Sequence, residues 1–169
     1  MVSHQNIAII LAGSNLGNRL HNLSEAAMFL EKLSTLKIDC SSVYETAPWG
    51  NTQQPPFLNQ AFRVYTPLTA NELLDELLAF EKSQGRTRLQ QWEPRSIDLD
   101  ILFYNHDLIS TPELTIPHKH LHARRFVLEP LAELIPDFIH PVFGKNITEL
   151  LELCNDELKV TKFPVYAQK

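Results

Sequence analysis

Residues 57–85 read FLNQAFRVYTPLTANELLDELLAFEKSQG and contain one complete strand-and-helix unit. From its start to Tyr65, polar and apolar side chains alternate, which is the two-residue period of a half-buried strand. Thr69 followed by Glu72 is the pattern of a capping box, in which two side chains satisfy free N–H groups at a helix start. Leucines then recur at helical spacing, and Gly85 suits the helix end because glycine adopts a left-handed backbone readily.

Similar elements precede and follow this unit. The hydrophobic pattern predicts strands at Gln5–Gly13, Lys37–Tyr44 and Ile97–Tyr104, a Leu108-Ile109 segment that pairs back as a hairpin, and helices at His21–Leu33, at the end of Pro117–Ala132 and at Ile147–Cys154. The order β-α-β, β-α-β predicts an α+β protein with a split βαβ arrangement, an antiparallel sheet with helices packed on one face. We expect residues 1–169 to form a single domain, since their number is typical of one.

Composition excludes several classes of protein. The chain has 15 basic and 20 acidic side chains, a formal charge of −5, which disfavours a general nucleic-acid or membrane binder. No apolar run approaches the ~20 residues that span a bilayer. Two cysteines, Cys40 and Cys154, lack metal-ligand spacing and are predicted to be small core residues. We therefore expect a cytoplasmic protein with neither nucleic-acid nor membrane partners.

The strongest chemical feature is the pair Asp98 and Asp100 inside an apolar strand. Side chains two residues apart on a strand point to the same face, so the carboxylates are neighbours and repel each other unless a cation lies between them. Magnesium fits, because it takes oxygen ligands and shares them with substrate phosphates. For an isolated Asp-x-Asp, an exposed face with solvated charges would be the more common explanation.

Arginines precede this pair in a polar loop that also contains Trp92 and Pro94; they are Arg86, Arg88 and Arg95. A guanidinium presents a planar fork of donors that suits phosphate oxygens. The density of cations beside a carboxylate pair favours a metal–polyphosphate site over ordinary surface ion pairs, which contribute little to stability.

Four further side chains have both a structural and a functional interpretation. Asn59 shares a strand face with Phe57, so an amide could hydrogen-bond a flat heterocycle while a ring stacks on it. From these two residues alone, and for Phe126 as well, core packing is the favoured explanation. His118 lies among other cations and is a candidate phosphate contact. The chain has no phosphate-binding G-x-x-x-x-G-K-[ST] loop and no dinucleotide-binding G-x-G-x-x-G motif.

Several motifs occur together in one order along most of the chain. They are GSNLG at 13–17, YETAPWG at 44–50, FLN at 57–59, GRTR at 85–88, WEPRSIDLDIL at 92–102, PH at 117–118 and RRFVLEPL at 124–131. Together they closely resemble the signature of the 6-hydroxymethyl-7,8-dihydropterin pyrophosphokinase family, enzymes of folate biosynthesis. The resemblance implies a ferredoxin-like fold and transfer of diphosphate from ATP to the pterin hydroxymethyl group, with release of AMP.

The resemblance also implies a role for individual residues. Asp98 and Asp100 would hold two magnesium ions, and Arg86 and Arg95 would be the catalytic arginines that act on the phosphates. The ATP site would comprise Glu81, Arg88, Trp92, Ile101, His118 and Arg124, with ATP as co-substrate. The pterin site would comprise Thr46, Ala47, Trp49, Phe57, Asn59 and Phe126. A stand-alone, monomeric enzyme with only small-molecule partners is implied.

Two other functions remain open on the sequence alone. Single-stranded RNA-binding modules share the β-α-β, β-α-β order, but they carry aromatic and basic residues where this chain has Asp98 and Asp100. A catalytically silent pterin or nucleotide sensor would keep the binding residues without turnover, and only an assay separates it from an enzyme.

Overall fold

The computed structural model describes residues 5–47, 53–85 and 96–165. The strands are β1 (Asn6–Ser14), β2 (Asp39–Cys40), β3 (Tyr44–Thr46), β4 (Phe57–Thr66), β5 (Asp98–Tyr104), β6 (Ile109–Ser110), β7 (Thr115–Ile116) and β8 (Val160–Lys162). The helices are α1 (Arg19–Leu33), α2 (Ala70–Ser83), α3 (Arg125–Leu134) and α4 (Ile147–Leu153), with a short 3-10 turn at Leu121–Ala123.

One antiparallel sheet organises the molecule. Its strand order is β5-β1-β4-β3-β8, and β2 also pairs with β4. The β1-α1 and β4-α2-β5 segments place β1 between β4 and β5, with β5 at one end of this order. The fold is therefore the α+β, split βαβ arrangement predicted from the element order, and it agrees with the ferredoxin-like fold that the resemblance implies.

Helices cover both faces of the sheet, so the prediction of helices on one face is wrong. Helices α1 and α2 close a core on one face with Ile10, Leu58 and Leu99. Helices α3 and α4 close a second core on the other face with Leu11 and Leu102. This second layer was not predicted from the sequence because its helices are short, 10 and 7 residues, and come late in the chain.

Strand β5 lies at the edge of the sheet, although a strand this apolar is typical of a central position. Its register against β1 shifts between Ile101 and Phe103, which leaves Leu102 as an extra residue. Leu102 and Phe103 consequently both face the second core. Before this β-bulge the side chains alternate regularly. Leu99 and Ile101 therefore enter the first core, and the two aspartates share the opposite face, as predicted. This opposite face is the one that α3 covers.

Local details agree with the sequence in most elements. The capping box of α2 is present, with the Thr69 hydroxyl accepting from Glu72 N and Glu72 accepting from Thr69 N. Gly85 has a φ of 84°, as its place after the helix predicts. The segment Lys37–Tyr44 contributes only the two residues of β2 and the start of β3.

Two smaller predictions are wrong. Strand β6 pairs with β7, as Ile109 opposite Ile116, and does not return to β5 as the hairpin expectation had it. Cys40 is exposed on the two-residue strand β2, while Cys154 is half-buried against the second core. Both cysteines are free.

No helix in the described part of the chain is long and apolar enough to cross a membrane.

His140 is a buried histidine that organises the turn before α4. It is 3% exposed, and its Nδ1 accepts hydrogen bonds from the N–H groups of Val142 and Phe143 at 3.1 and 3.3 Å. Burial is the main cause that lowers its pKa from 6.5 to about 4, and the nearby His122 adds to the effect. The ring is therefore neutral at physiological pH.

This histidine makes the fold sensitive to acid. The unfolded chain binds the proton near pH 6.5 and the folded chain only near pH 4, so stability is complete above pH 6.5 and falls between these values. We expect His140 to account for ~3 kcal/mol of the loss in unfolding free energy from pH 7 to pH 4, measured by urea titration. His140→Asn keeps an oxygen at the acceptor position but cannot titrate. An acid dependence unchanged in this variant would contradict the assignment.

Candidate active site

One row of residues across the sheet places the predicted site residues together. Gly13 on β1 is paired with Asn59 on β4 at one side and with Asp98 on β5 at the other. Strands in a sheet are about 4.8 Å apart, so Asn59 and Asp98 are about 10 Å apart with only a glycine between them. The next residue on the β5 side of this face is Asp100, which is paired with Leu11.

Gly13 leaves room for the Asn59 amide. A Cβ atom at position 13 would lie 2.7 Å from Asn59 Oδ1, closer than real Cβ contacts allow. Asn59 is 3% exposed, and its Nδ2 has no hydrogen-bond partner among the described residues. An unsatisfied buried donor costs about 1–3 kcal/mol, so the amide is held ready for an acceptor that the protein itself does not supply.

The two carboxylates share their surroundings with cationic side chains. Arg124 is partly buried, and burial is the main cause that lowers its pKa, while Asp100 and Asp98 act in the opposite direction. Burial likewise lowers the pKa of His118 to about 4, Arg124 adds to this effect and Asp98 opposes it. His118 is therefore a neutral donor or acceptor at physiological pH, beside a permanently charged arginine.

Among the described residues, no three His, Cys, Asp or Glu side chains form a ready-made metal cage. Asp98 and Asp100 supply carboxylate oxygens only, on one face of one strand. Magnesium binds readily to one or two carboxylates when phosphates and waters complete its shell. The donor set thus fits magnesium delivered with a polyphosphate better than a permanently bound ion.

Glu81 on α2 fixes the strand that carries the aspartates. Its side chain is 1% exposed, and Oε1 accepts a 2.7 Å hydrogen bond from the N–H of Leu99, between Asp98 and Asp100. This N–H points to the open edge of the sheet. Because amide directions alternate along a strand, the N–H and C=O of Ile101 face the same edge.

The start of α3 borders the site on the face of the sheet that carries the two aspartates. Arg124 precedes the helix, and its guanidinium carbon lies 5.8 Å from the centroid of the Phe126 ring, in cation–π range. The Phe126 ring packs partly against the second core. His118 is attached to the sheet by its N–H, which donates to the carbonyl of the bulge residue Leu102 at 3.0 Å.

A set of contacts joins the turn after β1 to the segments that flank residues 48–52. Arg19 Nη1 donates to Glu45 Oε2 at 2.7 Å and to the carbonyl of Pro56 at 3.0 Å. Asn15 Nδ2 donates to Gln54 Oε1 and to the carbonyl of Pro55. These contacts hold both segments beside the Gly13–Asn59 row.

Two of the predicted pterin residues lie in the first of these segments. Thr46 is buried at the end of β3 and is paired with Phe57, whereas Ala47 is exposed. The predicted residues Trp49, Arg86, Arg88, Trp92 and Arg95 lie outside the described residues.

Comparison with known proteins identifies the family of this chain. The profile of the 7,8-dihydro-6-hydroxymethylpterin-pyrophosphokinase family matches residues 9–136, which include every predicted site residue. The chain belongs to this family. A pyrophosphokinase of Haemophilus influenzae is 39% identical over 158 residues, covering 93% of this chain and 98% of the relative. One of Synechocystis is 40% identical over 146 residues, covering 86% and 74% respectively.

Solved structures agree in fold. A crystal structure of Plasmodium falciparum HPPK-DHPS matches 89% of this chain with a TM-score of 0.71 at 18% identity. The chain spans 43% of the length of that HPPK-DHPS chain. As a member of the pyrophosphokinase family, the chain transfers pyrophosphate from ATP to 6-hydroxymethyl-7,8-dihydropterin in folate biosynthesis.

Sequence reasoning about a pyrophosphokinase missed Glu133 and Asp156, which lie outside the motifs and hold motif residues in place. Tyr44, next to Asn59 in the sheet, donates its hydroxyl to Glu133 near the end of α3. Arg125 N donates to Asp156, which lies 31 residues later. Only the closed fold brings these partners together. The sequence does indicate that Gly13 is important, since glycine is scarce in this chain and Gly13 lies at the end of an apolar strand.

Proposed function

We propose that this face of the sheet is where the pyrophosphokinase reaction takes place, with the nucleotide over β5 and the pterin over β4. The observation that carries the proposal is the Asp98–Gly13–Asn59 row, which places a carboxylate site about 10 Å from an unsatisfied amide. This separation suits a polyphosphate at one end and a flat heterocycle at the other.

Asp98 and Asp100 are the proposed ligands of two magnesium ions that arrive with ATP. Bound there, the ions would neutralise phosphate charge and bring the hydroxyl and the β-phosphorus into reach of each other. The chain's own contribution is the fixed position of the two carboxylates, which the buried Glu81 secures through Leu99.

The cationic residues are proposed to hold the phosphates in line. Arg124 and neutral His118 reach the region of the aspartates, and Arg86, Arg88 and Arg95 are proposed to complete the set together with Trp92. Phosphoryl transfer depends mainly on alignment and charge stabilisation, which guanidinium forks provide without a covalent intermediate. The base of ATP is proposed to pair with the Ile101 backbone at the open edge of β5.

The pterin is proposed to lie between Phe57 and Phe126 and to accept a hydrogen bond from Asn59 Nδ2. Phe57 lies on β4 two residues before Asn59, and Phe126 lies beside Arg124 at the start of α3. Backbone groups of Thr46, Ala47 and Trp49 are proposed to contact the pterin edge.

We further propose that the enzyme is a cytoplasmic monomer and that residues 1–169 are one domain. The two free cysteines suit a reducing compartment. The segments after residue 136 support one domain, because α4 packs on α3 and β8 pairs with β3.

The deciding experiment mixes the purified protein with ATP, magnesium and 6-hydroxymethyl-7,8-dihydropterin and identifies the adenine nucleotide by anion-exchange chromatography. We expect AMP, formed only when the pterin is present. Removal of magnesium with EDTA is expected to lower the rate by about 10³-fold, since the ion contributes several kcal/mol of charge stabilisation.

Other products would contradict the proposal in distinct ways. ADP would indicate a kinase that transfers a single phosphoryl group. Pterin binding without turnover would indicate a silent sensor. AMP formed at the same rate in EDTA would exclude the magnesium role of the aspartates.

A further inference from the structure

The segment that follows α4 returns to the start of α3, between the two substrate sites. The Arg125 side chain holds it with two donors: Nε donates to the carbonyl of Asp156 at 2.9 Å, and Nη2 donates to that of Cys154 at 3.2 Å. Its Nη1 donates to Glu129 Oε1 one turn along α3. The guanidinium thus links the first turns of α3 to the end of the chain.

Asp156 provides the reciprocal contact. Its Oδ2 accepts from the N–H of Arg125 at 3.0 Å, and its Oδ1 accepts from the N–H of Leu158, also at 3.0 Å. Helix α3 needs this contact, because the side chain of its own N-cap residue, Arg124, makes no capping hydrogen bond. A carboxylate at a helix start satisfies a free N–H and interacts favourably with the helix dipole.

The capped residue lies directly between two proposed substrate contacts. Arg124 precedes Arg125 and faces the aspartate pair, and Phe126 follows it and packs beside the Arg124 guanidinium. The backbone orientation at Arg125 therefore determines how the ATP-side and pterin-side groups are placed relative to each other.

We propose that Asp156 is a positioning residue for the pyrophosphokinase site, acting through Arg125 on Arg124 and Phe126. This inference rests on the proposed roles of those two residues. It assigns a task to a segment outside residues 9–136, the part that the family profile matches. The site is accordingly incomplete without residues 154–158, although none of them is proposed to touch a substrate.

The test compares three variants in steady-state kinetics and thermal melting. Asp156→Ala removes the cap, and we expect KM for the pterin and for ATP to rise about tenfold, equivalent to about 1.4 kcal/mol of binding. Asp156→Asn keeps an oxygen acceptor for Arg125 N and is expected to keep both KM values within about threefold of the wild type. Asn146→Ala is the matched control, since it removes a similar cap from α4; it should lower the melting temperature and leave KM unchanged.

Two outcomes would overturn the proposal. One is an Asp156→Ala enzyme that melts earlier but has wild-type KM values, the result of a purely structural cap. The other is an Asn146→Ala enzyme whose KM values rise equally, the result of general loosening. If Asp156→Ala does not fold, Arg125→Lys takes its place in the test. Lysine lacks the forked guanidinium that reaches the carbonyls of both Asp156 and Cys154. Unchanged KM values in Arg125→Lys would also overturn the proposal.

A failure of the proposed function gives a different result. In that case the wild type itself forms no AMP. The positioning role is then measured by calorimetric titration of the wild type and Asp156→Ala with pterin in the presence of an ATP analogue. Equal dissociation constants would overturn it.

Discussion

Asp98→Ala and Asp100→Ala are each expected to lower kcat by about 10³-fold or more in the magnesium-dependent assay. Each variant loses one of two carboxylates that share a strand face beside Arg124 and His118. A metal ion in phosphoryl transfer contributes several kcal/mol of charge stabilisation, and ~4 kcal/mol corresponds to this factor. The measurement is steady-state AMP formation at saturating ATP and pterin, over a range of magnesium concentrations.

The same variants should fold normally. Removing one carboxylate relieves repulsion between the pair but also removes part of their attraction to Arg124, so the melting temperature is expected to stay close to that of the wild type. Asp137→Ala removes an exposed carboxylate beyond the end of α3 and is the control for a general change in charge; its rate should equal that of the wild type. A large drop in melting temperature together with normal turnover would mean that the pair has a structural task instead.

Residues 57–85 and 97–104 explain why much of the fold can be predicted from the sequence. Here each local signal agrees with the fold. The alternation of polar and apolar side chains predicts β4, and the capping box predicts the start of α2. The Asp98-Leu99-Asp100 sequence predicts the polar face of β5. Agreement across levels of this kind makes a sequence specify one structure.

The predictions that are wrong concern which segments pair or pack with each other. The second helical layer depends on α3 and α4, and the start of α3 is capped by Asp156 and not by a neighbour in sequence. Likewise, Ile109 pairs with Ile116 because a local partner in β7 is available, which hydrophobic alternation in β5 cannot indicate. The site residues could be named from motifs, but their separation across the sheet depends on the register of β1 against β4 and β5.

That register leads to the second large expected effect, at Gly13 and Asn59. Asn59→Ala should raise the pterin dissociation constant by about 100-fold, since a buried hydrogen bond of ~2.7 kcal/mol is lost. Gly13→Ala should produce a similar rise, because the new methyl group would meet Asn59 Oδ1 at 2.7 Å and displace the amide. Calorimetric titration with pterin and an ATP analogue measures both, and ATP binding alone should remain near the wild-type value.

The two substitutions should not be additive, which distinguishes displacement of the amide from damage to β1. Once Asn59 is alanine there is no amide to displace, so adding Gly13→Ala should weaken pterin binding by no more than about twofold further. Asn59→Ala should also leave the free protein as stable as the wild type or more stable, because it removes a buried donor that has no partner among the described residues. Additive losses of pterin binding, or a strongly destabilised Asn59→Ala protein, would mean that the amide supports the fold. Non-additive losses with retained stability are expected of an amide that is held in place for its ligand.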